Sequence, residues 1–82
     1  MKFLVEVQLK PGMKNQAVEA FEFRGPNRTP NVEFVNAWLG AQEDIAFVLI
    51  DSPAASHVAD AARSWSDFGE TKIHHVVDIE NY

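Results

Sequence analysis

The strongest constraint on this chain is a pattern that it carries twice. A short apolar stretch, a helical stretch and another apolar stretch fill the first half, and the same order returns in the second. The helices are expected to begin at 13 and 53, and the strands that follow them near 32 and 72, so both pairs are offset by forty residues. A β-α-β plan used twice predicts the ferredoxin-like β-α-β-β-α-β sandwich. That α+β fold has a four-stranded antiparallel sheet, right-handed crossovers, the first and third strands at its centre and two helices on one face. With 82 residues the chain forms a single domain, 1–82, without a linker, a low-complexity segment or a solenoid repeat.

Each element has a local cause. Over 3–9 the odd positions Phe3, Val5, Val7 and Leu9 are apolar, while Glu6 and Gln8 are polar, the period of a half-buried strand. Pro11-Gly12 turns the chain, and Met13, Ala17, Ala20 and Phe21 recur at helical spacing, which predicts a helix over 13–25. Prolines 26 and 30 fix the next loop. Strands are expected over 32–39 and 45–50, joined by the short polar connection 40–43 as a hairpin. Ser52 as N-cap and Pro53 at the first helical position start a second helix that runs to 65. Its inward stripe is Ala54, Val58, Ala61, Ala62 and Trp65, with Phe68 packing just beyond. The last strand is expected over 72–79.

Helices on one face leave the other face of the sheet bare. In a lone subunit that face should be polar, yet the third strand has Ile45, Phe47 and Leu49 on one parity and Ala46, Val48 and Ile50 on the other. The second strand sets Phe34 and Trp38 against Val35 and Leu39. Leaving large apolar side chains in water forfeits about 1.5–3 kcal/mol each, a large fraction of the stability of a domain this small. An isologous homodimer, sheet on sheet, is the simplest cover.

Charge and composition exclude other partners. Seven Lys and Arg against twelve Asp and Glu give a net charge of −5, unfavourable for nucleic acid and for an anionic membrane. With no cysteine there are neither disulfides nor thiolate metal sites. The apolar stretch 3–9 is too short, and too interrupted, for a signal-peptide core or a membrane span, which points to the cytoplasm.

Several segments carry a family likeness: Lys2-Phe3-Leu4-Val5-Glu6, the loop Arg24-Gly25-Pro26-Asn27-Arg28-Thr29-Pro30, Ala37-Trp38, and Ala62-Arg63-Ser64-Trp65. The chain resembles the dimeric α+β-barrel superfamily over its whole length. That superfamily includes antibiotic-biosynthesis monooxygenases and muconolactone isomerases, and within it the chain is most similar to a family of short bacterial proteins of unknown function. The resemblance implies a cavity between sheet and helices that holds an aromatic or polyketide-like molecule, without a metal or flavin cofactor. Fold likeness alone does not assign a reaction.

The candidate site residues follow from placement. Arg24 extends the stripe of the first helix by a turn, where it could meet an anionic ligand group or simply complement the helix dipole. Asn27 and Arg28 sit in the proline-braced loop, aimed at a pocket mouth or solvated. Glu6 and the last strand's His74 are expected on the partner-facing side as an acid–base couple or an interfacial ion pair. His75, on the opposite parity, would face the helix-side pocket as a general base or ligand donor. Asn36, Trp38 and Trp65 complete the set, the indoles as stacking surfaces or as plain core. Adjacent histidines on a strand point to opposite faces and cannot share a metal, so no metal site is expected. Three functions remain open: a small-molecule binding protein, a cofactor-free monooxygenase or isomerase, and a structural oligomer without a ligand.

Overall fold

The computed structural model describes residues 1–22 in full, the backbone of Phe23 and Arg24, and residues 29–82. The chain runs β1 (Lys2–Leu9), α1 (Lys14–Arg24), β2 (Glu33–Leu39), β3 (Ile45–Asp51), α2 (Ala55–Arg63) and β4 (Gly69–Val76), and closes on a 3-10 turn at Ile79–Asn81. The four strands form one antiparallel sheet in the order β2-β3-β1-β4, with the first and third at the centre as the doubled plan requires. This is the ferredoxin-like α+β fold.

Alternation in β1 sets the two faces. Phe3, Val5, Val7 and Leu9 are buried toward the helices, while Leu4, Glu6 and Gln8 point the other way. Cross-strand partners share a face, so Ile50, Val48 and Ala46 of β3 join the helix side opposite Phe3, Val5 and Val7. Val58, Ala61, Ala62 and Trp65 from α2 and its trailing turn complete the core, with Phe68 packed against it.

Three expectations need correction. Ser52 does not cap α2. Its hydroxyl donates to the Asn31 carbonyl at 2.8 Å and to the Ala54 carbonyl at 3.2 Å, and the N-cap is Ala54 without a side-chain hydrogen bond, so Pro53 lies ahead of the helix. Ser52 is 2% exposed and fastens the turn before α2 to the turn before β2. The helix also stops at Arg63, and Trp65 lies in the turn that follows.

The last strand begins three residues earlier than the pattern suggests and ends at Val76. Gly69, ahead of the expected start at 72, pairs with Leu9, and a Cβ there would lie 2.0 Å from the Gln8 carbonyl oxygen. Its lack of a side chain is what lets β4 close against β1.

The second strand carries a bulge between Phe34 and Asn36. The extra residue breaks the alternation, so Phe34 is opposite Ile50 on the helix side while Trp38 is opposite Phe47 on the bare side. The expectation that Phe34 and Trp38 share a face fails for that reason.

Candidate functional site

The helices meet the sheet differently. The inner face of α2 is alanine-rich, and those alanines bring it down onto β1 and β4, leaving Ala61 and Ala62 fully buried. Among the described residues this face of α2 packs directly on the sheet. The first helix touches the core through Ala17 and Phe21, and Phe21 meets Phe34 edge to face at 5.5 Å between ring centroids. The Lys14 ammonium donates to the Gly40 carbonyl at 2.9 Å and ties the start of α1 to the β2–β3 hairpin.

Between α1 and the sheet is a cavity of ≈ 220 Å³. Val7, Leu9, Ala17, Phe21, Trp65 and Phe68 wall it, and Ala37 and Ala46 lie on its floor. The floor is the sheet itself, which brings Trp38 and Phe47 to its border although their register places their side chains on the other face. No ionisable side chain is among the described residues that line it. The sequence signal for this space is the small residues Ala17, Ala37 and Ala46 on three converging elements.

The candidate residues fall into separate places. Trp65 lines the cavity and is 8% exposed. His75 shares the helix-side parity, but it does not reach the cavity. It lies exposed on the edge strand and stacks on Phe3 with ring centroids 4.9 Å apart. Asn36 is on the bare side opposite Leu49, where its side-chain oxygen accepts the Ala37 amide at 2.8 Å. Trp38 is half exposed on the same side. Arg24, through its side chain, and Asn27 and Arg28 altogether lie outside the described residues.

Glu6 and His74 do come together. Glu6 Oε1 is 3.5 Å from His74 Nε2 on the bare face, with the Glu6 side chain 24% exposed and the imidazole 49% exposed. The pair can exchange a proton or form an ion pair when the imidazole is charged, but the sheet separates it from the cavity. Among the described residues no three His, Asp or Glu gather to hold a metal, and no helix is long and apolar enough to cross a membrane.

Comparison with known proteins follows the fold. A protein from Streptomyces coelicolor A3(2) superposes with a TM-score of 0.59 at 20% identity, covering 93% of this chain and 95% of the other. The 5-chloro-2-hydroxyhydroquinone dehydrochlorinase of Burkholderia phenoliruptrix AC1100, in complex with 2,5-dihydroxybenzoquinone, gives 0.69 at 12% identity, with 99% and 98% covered. A protein described as an antibiotic biosynthesis monooxygenase, from Nitrosomonas europaea, gives 0.60 at 11% identity, with 94% and 98% covered. At such identities the likeness is one of fold, and that fold is the one expected from the dimeric α+β-barrel resemblance. No curated protein matches the sequence significantly. A family match spans residues 1–82, and on it the chain belongs to DUF3303, a domain of unknown function.

Proposed function

We propose that the protein is a homodimer, paired through its bare sheet face, in which each subunit binds a small and largely apolar ring compound between α1 and the sheet. The observation that carries this reading is the ≈ 220 Å³ cavity with its apolar and aromatic wall. An apolar cavity of about 150 Å³ accepts benzene, so this one has room for one or two fused rings. Hydrophobic transfer and contact with Phe21, Trp65 and Phe68 would supply the affinity. An anionic substituent on the ligand would call for Arg24, which follows Phe21 at the end of α1.

The dimer half of the reading rests on four apolar neighbours on the bare face: Trp38, Phe47, Leu49 and Leu4. Four strands about 4.8 Å apart and seven residues at about 3.3 Å rise give a face of roughly 450 Å² in flat projection. Side-chain relief enlarges this toward the ~800 Å² per partner of a standard interface.

The ligand reading is tested by titrating the dimer with 2,5-dihydroxybenzoquinone, naphthalene and indole, following amide shifts by two-dimensional NMR. Saturable shifts clustered on Ala17, Phe21, Ala46 and Trp65 are expected, and Ala46→Leu, which fills the floor, should abolish them. An absence of saturable shifts with all three compounds, or shifts that survive Ala46→Leu, would contradict it.

The second reading is cofactor-free turnover of a hydroxylated aromatic, favoured by the Glu6–His74 couple and by the fold shared with a dehydrochlorinase. It needs the substrate on the sheet side rather than in the cavity. Turnover of hydroxyhydroquinones that falls at least about a hundredfold in His74→Ala would support it, in line with the usual contribution of a general acid or base.

A further inference from the structure

The bare face has an ordered chemical map. Across the strands one row reads Trp38, Phe47, Glu6, Lys72, and the next reads Asn36, Leu49, Leu4, His74. Glu6 therefore lies directly beside Phe47, and His74 directly beside Leu4. The acid–base pair borders the apolar quartet that a second subunit would cover, and Glu6 is already three-quarters shielded by its own chain.

We propose that pairing through this face takes up protons, so that the dimer tightens as pH falls through the imidazole range. The inference rests on the sheet-face dimer proposed above. Covering the quartet strips water from Glu6, and a carboxylate in such surroundings needs a neutralising partner. Protonation of His74, at 3.5 Å, provides one by making an ion pair, and protonation of Glu6 itself removes the charge. Both routes consume a proton from solution. Because the dimer then holds more protons than the separated chains, its dissociation constant must fall as pH falls.

Other charges surround the pair, and at the far end of the same face Glu33 lies opposite Asp51, whose Oδ1 is 3.0 Å from the N-terminal ammonium. Lys72 is Glu6's cross-strand partner but makes no ion pair among the described residues, and it is the competitor that could neutralise Glu6 without a proton. Lys2, on the other diagonal from His74, has its ammonium 3.7 Å from Asp78. Glu70 lies two residues from Lys72, on the far side from His74. From β3 the neighbours are Phe47 and Leu49, and α2 covers the opposite side of the sheet.

Sedimentation of fluorescently labelled protein from nanomolar upward, at pH 6.0 and pH 8.5, tests this. The dissociation constant is expected to rise about tenfold or more between the two, within the limit of about a hundredfold per pH unit that full uptake of one proton per subunit, two per dimer, would set. Glu6→Gln should pair tightly at both pH values, and His74→Gln should lose most of the pH dependence, with circular dichroism confirming that each stays folded. Equal constants for the wild type, or an undiminished slope in both variants, would overturn the inference and leave the dimer standing. A wild-type chain that stays single at both pH values would remove the dimer reading and this inference with it.

Discussion

Glycines 12 and 69 show how little at the residue scale can be judged from residue type alone. Gly12 follows Pro11 as a turn signal, and that is correct: its φ is 79° and nothing lies within 4 Å of where a Cβ would be. Gly12→Ala should therefore cost about 1–2 kcal/mol, the penalty of a left-handed backbone. Gly69→Ala meets the backbone of Gln8 and Leu9 instead, and should cost more, roughly 3 kcal/mol or above, because a strand must move. Urea unfolding of both variants checks the order, and equal losses would contradict it. Ser52 teaches the same lesson: a serine before a proline matches a helix cap, yet its hydroxyl reaches Asn31, 21 positions earlier in the chain. Sequence pattern sees local partners and cannot see that one.

Among the elements, period was a good guide to existence and a poor one to edges and phase. The apolar alternation of β1 specified its buried side correctly, and that single phase also fixed the faces of Glu6, His74 and His75 through register. Nothing in Val35 marks the bulge in β2, and strict alternation puts Phe34 and Trp38 on one face where the structure has them on two. A cavity between sheet and helices is what the family resemblance implies, but its place under α1 is not legible in any one element: small side chains on α1, β2 and β3 converge where one large residue would have closed the gap. If the gap is a void in the free protein, Ala46→Leu fills it without strain and should raise stability by about 0.5–2 kcal/mol. Thermal unfolding measures this, and a loss of stability of similar size would mean that the floor is already closely packed. Conversely, Ile50→Ala, in the packed centre where Ile50 is fully buried, should cost about 2–5 kcal/mol.

For the whole molecule, the doubled β-α-β plan was legible because it depends only on element order and the right hand of crossovers, neither of which is disturbed by a bulge or a shifted boundary. The bare face was legible too, as an excess of apolar residues on the parity that helices leave uncovered. What covers it decides the rest, since the Glu6–His74 pair is partly exposed in one chain and would be buried by the second chain proposed above. Sedimentation velocity of the unlabelled protein at pH 6.5 and low micromolar concentration is the most direct measurement, run beside Phe47→Glu, which puts a charge at the centre of the quartet. The account predicts a species of twice the chain mass for the wild type and a folded single chain for the variant. A wild-type chain that sediments as a single subunit would contradict it.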